Sequence, residues 1–93
     1  MNEIIEQHWP HALDLVQQYE TDQFAFADLA GLIEEFSATY TNHINELPES
    51  QRALANSALE ARIEAEMNGT AKDSKASQAL NELRVSINRT PIY

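Results

Sequence analysis

The chain is predicted to be all-α, a small antiparallel bundle of about four helices, and three observations carry that prediction. Ninety-three residues hold only two glycines and three prolines, far fewer turn formers than an all-β domain needs. Apolar residues recur at helical spacing along most of the chain, and no alternating strand pattern competes with it. The segments between the periodic runs are short, so helices adjacent in sequence lie antiparallel in space. With 43% hydrophobic residues, the chain has enough apolar material for one core and is not fully disordered. Residues 1–93 read as a single helical domain without internal repeats.

In the first helix Ile5, Trp9, Ala12, Leu13, Val16 and Tyr19 recur at helical spacing. Pro10 falls inside this pattern, in the stretch EQHWPH. Proline lacks a backbone donor and clashes with the carbonyl four residues earlier, so a kink, or a main helix restarting near Pro10, is expected. The second helix, about residues 23–47, is expected to be the longest. Phe26, Leu29, Ile33, Phe36, Tyr40, His43 and Leu47 form one stripe, widened by Leu32 and Ile44. Thr21 and Asp22 are suitable caps before it, and Pro48 stops it. Its weak points are Gly31, at a cost of about 1 kcal/mol relative to alanine, and the stretch SATYTNHIN. A break near residues 37–42 is the alternative.

After Pro48 a third helix is marked by Leu54, Ala55, Ala58, Leu59, Ile63 and Met67, a face of mostly small residues closed by Asn68-Gly69. TAKDSK is a polar loop in which Asp73 or Ser74 can cap a fourth helix bearing Ala76, Leu80, Leu83 and Ile87. The tail RTPIY is too short for an element. Its Ile92 and Tyr93 are expected either to pack on the bundle or to serve a partner.

Composition excludes several functions. Without cysteine there is no disulfide, thiolate metal site or cysteine nucleophile. The start MNEIIEQHW carries acids where a secretory signal needs positive charge, and FAFADLAGLI is short and interrupted by Asp28. A soluble, cytoplasmic protein is expected, with no membrane partner. Formal net charge is −9, distributed unevenly. Residues 1–51 contain ten acids and no lysine or arginine, while residues 52–93 contain five acids and six bases. Phosphate contacts need clustered Lys and Arg, so direct binding of nucleic acid is not expected.

His8 and His11, three apart, could ligate one transition metal, with Glu6, Asp14 or His43 completing the shell. Pro10 between them disturbs that geometry, so the motif is read as marking a bend, with no metal or cofactor site. His43 on the apolar stripe reads as a hydrogen-bonded core histidine. The carboxylate pairs Glu34-Glu35, Glu60-Glu64 and Glu64-Glu66 lie opposite the apolar stripes, and glycine-rich elbows and cradles are lacking. The chain is read as not an enzyme.

The acidic half remains. Carboxylates one helical turn apart are separated by roughly 6 Å, close to the phosphate spacing of a nucleic-acid strand. Such a surface suits a non-enzymatic protein-binding module, an acidic inhibitor or immunity-type protein occupying a basic surface of a target. The expected contacts are Glu20, Asp22, Asp28, Glu34, Glu35, Glu46 and Glu49, with Tyr19 or Phe24 as an aromatic anchor. The alternative is a structural or assembly protein. Trp9, Tyr19, Phe24, Phe26, Phe36 and Tyr40 all lie in the first 40 residues, and a homodimer would cover what one bundle cannot.

Overall fold

The computed structural model describes residues 2–89, the side chain of Asn2 excepted. Four helices form in the order α1 (Asn2–Glu20), α2 (Phe26–Ile44), α3 (Glu49–Asn68) and α4 (Lys75–Arg89), with no strand among the described residues. Every helix touches the other three, in a body of 39 × 24 × 20 Å. The expected all-α bundle is therefore present. The second helix is not the longest, since α3 has 20 residues and α2 has 19. Ile92 and Tyr93 lie outside the described residues.

α1 runs through Pro10 without the expected restart. Pro10 is exposed, while Ile4, Ile5 and Trp9 just before it are buried. Proline costs about 3 kcal/mol in a helix interior, and each buried large apolar side chain returns roughly 1.5–3 kcal/mol. Packing of the first two turns therefore outweighs the local penalty. At the other end, Thr21 and Asp22 close α1 and do not cap α2. The Thr21 hydroxyl donates to the Gln17 carbonyl at 2.9 Å. Asp22 adopts φ 61°, and its N–H donates to the Tyr19 carbonyl at 3.1 Å. This left-handed residue turns the chain, a role asparagine and aspartate tolerate better than most.

α2 begins later than expected, with Ala25 at its N-cap and the Asp28 carboxylate accepting the Ala25 N–H at 3.4 Å. It continues through Gly31 and through SATYTNHI, because Phe36, Ser37, Tyr40, Thr41 and Ile44 are all buried there. Arg52 closes its far end. Nε donates to the Leu47 carbonyl at 2.9 Å and Nη2 to the Asn45 carbonyl at 3.0 Å, setting positive charge against the negative end of the helix dipole. α3 ends at Gly69 as expected, although Gly69 has φ −87° and so needs no left-handed freedom. Ser74 caps α4, its hydroxyl accepting the Ser77 N–H at 3.1 Å.

The core follows the expected stripes with few exceptions. Leu29, Ile33, Tyr40 and Ile44 of α2 meet Ala55, Leu59 and Ile63 of α3 and Ala79, Leu80 and Leu83 of α4. Four of the six aromatics of the N-terminal half find cover within one chain, Trp9, Tyr19, Phe36 and Tyr40 being buried. Phe26 is 41% exposed and Leu54 58% exposed, so these two stripe residues miss the core. A polar contact crosses the interior, where the Ser37 and Ser86 hydroxyls lie 2.8 Å apart, both fully buried. No described helix is long and apolar enough to cross a membrane.

Candidate functional site

Helices α1 and α2 carry most of the acidic residues singled out in the sequence, and all seven are exposed. They spread along α2 and round both its ends, without converging on a cleft. Glu20 and Asp22 lie at the end of α1 and the corner after it, Glu46 in the link that follows α2, and Glu49 in the first turn of α3. Asp28 and Glu35 are seven residues apart on α2, so they share a face about 10 Å apart along the axis. Glu34 is turned away from that face and meets Arg89 of α4 at 3.9 Å.

The molecule's own cations neutralise only part of this surface. Among the described residues there are three ion pairs: Glu6 with Arg62 at 2.6 Å, Asp22 with Lys75, and Glu34 with Arg89. All three are solvent-exposed, so each contributes little to stability. Arg52 is held by carbonyls, and Arg84 donates to the Asn81 side chain at 2.7 Å. Glu20, Asp28, Glu35, Glu46 and Glu49 are left outside any of these pairs.

The aromatic anchors fare differently. Tyr19 is buried, its hydroxyl donating to Gln78 Oε1 at 3.0 Å, with Lys75 Nζ 5.1 Å from its ring centre. Little of its ring is therefore accessible in the free protein. It is a core residue that fastens α1 to α4, because α1 extends to Glu20 and turns its last buried position inward. The hydrogen bond to Asp22 raises the Lys75 pKa above the usual lysine value, and the Asp22 charge acts in the same direction. Phe24 is half-buried against Tyr19, with ring centres 6.4 Å apart. Phe26, which sequence spacing assigned to the core, is the more exposed ring of this corner.

The histidines form a second cluster. His8 Nε2 lies 3.0 Å from His43 Nδ1, joining α1 to α2. The His8 ring stands edge-on to Phe36 and Tyr40 at 6.0 and 5.8 Å, and His11 stacks on Phe36 at 5.9 Å. A hollow of about 180 Å³ is lined by His8, His11, Glu35, Phe36 and Thr39. A second, shallow one, lined by Ala27, Asp28, Gly31, Leu32 and Glu35, shares Glu35 with it. Burial pushes the His8 pKa below the ordinary histidine value, and the neighbouring His43 and His11 push it the same way. Burial likewise raises the Tyr40 hydroxyl, which donates to the Ala55 carbonyl at 3.3 Å.

No group of three or more histidine, aspartate or glutamate side chains among the described residues is placed to hold a metal ion. His8 and His11 each contact the Phe36 ring and border the same hollow. The direct partner of His8 is His43, which the sequence offered as one of several completing ligands and, separately, as a hydrogen-bonded histidine on the apolar stripe. Antiparallel pairing of the two apolar stripes was the available clue, since it sets the start of α1 beside the end of α2.

Comparison of the chain with protein-family models, with curated proteins and with solved structures gives no match.

Proposed function

We propose that the protein is a non-enzymatic protein-binding module, an acidic inhibitor or immunity-type partner that occupies a basic surface on a target protein. One observation supports this reading above the others. Five of the six lysines and arginines are engaged elsewhere, leaving Glu20, Asp28, Glu35, Glu46 and Glu49 exposed and outside the ion pairs. Charges of one sign displayed along α2 and round its ends attract a basic partner over distances near the Debye length, about 8 Å at physiological salt. Asp22 and Glu34, in weak exposed pairs, can exchange their internal partner for an external one. The exposed Phe26 and half-buried Phe24 supply apolar contact beside the acids. A target that normally holds nucleic acid fits this surface, the carboxylates then standing in for phosphates, and the setting is cytoplasmic.

The alternative, a homodimer, has less apolar surface to cover, because Trp9, Tyr19, Phe36 and Tyr40 are buried inside one chain while Phe26 and part of Phe24 stay accessible. The test begins with affinity capture from the native cell and purification of the recovered partner. Association should slow at least tenfold between 50 and 300 mM salt, as charge-steered encounters do. The triple change Asp28→Asn, Glu35→Gln, Glu46→Gln should slow it several-fold at low salt. A captured partner whose association ignores both salt and these substitutions would overturn the reading.

A further inference from the structure

We propose that His8 and His43 form a proton-sensitive latch that holds the first turns of α1 against α2 in neutral surroundings and releases them in mild acid. The proposal stands on the contact between the two rings and is independent of the acidic-surface reading.

A neutral imidazole has one N–H and one lone pair. At a nitrogen–nitrogen distance of 3.0 Å, one ring donates and the other accepts. One added proton is compatible with this contact, because a singly charged pair still has an acceptor. Two are not, since N–H would then face N–H between two cations. Separated histidines with ordinary values near 6.5 are both mostly charged about one pH unit lower. The open state therefore takes up two protons where the closed state holds at most one.

The surroundings act in the same direction. From α1, His11 adds a third imidazole, and Glu6 is engaged by Arg62 of α3. From α2, Glu35 borders the hollow, yet none of the three histidines is in an ion pair among the described residues. The Tyr40 hydroxyl is turned toward the Ala55 carbonyl of α3. Neither α3 nor α4 contributes a group to the hollow beside the rings.

The lowered His8 value fixes the sign. Above about pH 6.5 the ring is neutral whether α1 is docked or free, and the latch is indifferent to pH. As pH falls through that value toward the lowered one, the undocked form binds the proton more readily and docking weakens. One linked proton limits the steepness to about a tenfold change in the closing constant per pH unit.

Pro10 determines what moves. It lies two residues beyond His8 and supplies no N–H to the Glu6 carbonyl, so the backbone of α1 is least tied at that point. The far half of α1 is fastened to α4 by Tyr19 with Gln78 and by Asp22 with Lys75, contacts that involve no histidine. Opening thus lifts the arm that carries Ile4, Ile5 and Trp9 and leaves the rest of the bundle closed.

Trp9 is the sole tryptophan and is 8% exposed, so its emission wavelength reports the arm directly. In the full chain, emission should move to longer wavelength between pH 6.5 and 5, while α4 amide resonances hold their positions. In His43→Gln, which keeps a hydrogen-bonding partner but removes the second titrating ring, the midpoint should fall by at least one pH unit. His11→Gln should retain the transition. An identical midpoint in the wild-type chain and His43→Gln, or unmoved Trp9 emission down to pH 5, would overturn the latch. Should His43→Gln fail to fold, imidazole NMR of the wild-type chain decides. Sequential proton uptake, with His8 below the ordinary value, supports the latch. Independent titration of both rings near 6.5, with unchanged Ile4 and Ile5 amides, refutes it.

Discussion

Ser37 and Ser86 set the terms for single residues in this molecule. Their hydroxyls meet at 2.8 Å in a fully buried contact between α2 and α4. A buried hydrogen bond between neutral side chains contributes about 0.5–1.5 kcal/mol net, and residues in such contact are energetically coupled. Ser37→Ala should therefore lower stability in urea by about 1 kcal/mol or more. Adding Ser86→Ala should bring a total loss smaller than the sum of the two single losses, and strictly additive losses would contradict the coupling. No periodicity argument could find this pair. Serine at a core position looks like a solvent-facing residue until the opposing helix is known. Tyr19 illustrates the reverse difficulty. Its spacing placed it on the apolar face of α1, and that reading described it better than its assignment as an anchor.

Among the elements, α2 shows how much can be read from pattern and where reading stops. Its stripe identified Leu29, Ile33, Phe36 and Tyr40 correctly, because burial of one face imposes a 3.6-residue period whatever the neighbours are. Each of its ends was misplaced by about three residues. Thr21 and Asp22 resemble N-caps, but α1 extends to Glu20 and uses them to stop. The closing role of Arg52 depends on three-dimensional return of the chain, which spacing does not encode. The same applies to the histidine pair, visible only once α1 and α2 are set antiparallel. Gly31 gives the prediction at this scale. A Cβ added there meets nothing within 4 Å, and its φ is not positive. Gly31→Ala should raise the stability of the free protein by about 1 kcal/mol, measured as the urea midpoint. An unchanged or lower midpoint would mean that the helix already tolerates the glycine at no cost.

At the scale of the whole molecule, charge is the dominant long-range feature. A net −9 on a body 39 Å long repels itself, and the three exposed ion pairs offset little of that. Raising salt from 10 to 150 mM should increase the melting temperature, by roughly 4–8 °C for each 1 kcal/mol of repulsion screened. Calorimetry of the free protein checks this, and a midpoint that falls with salt would show that the ion pairs outweigh the repulsion. The lopsided distribution was plain from the sequence. Which carboxylates would find an internal arginine or lysine was not, because those pairings depend on the packing of α4 and α3 against the first two helices.

The contact of every helix with the other three has a consequence for how the chain is made. α4 covers Ile33 and Leu29 of α2 and secures the corner after α1, yet it is the last of the four to leave the ribosome. Until residues near position 87 have emerged, the earlier helices carry uncovered apolar faces with no complete set of neighbours to bury them. Synthesis at about 5–20 residues per second leaves that intermediate exposed for seconds, so premature termination anywhere before α4 yields a product destined for proteolysis.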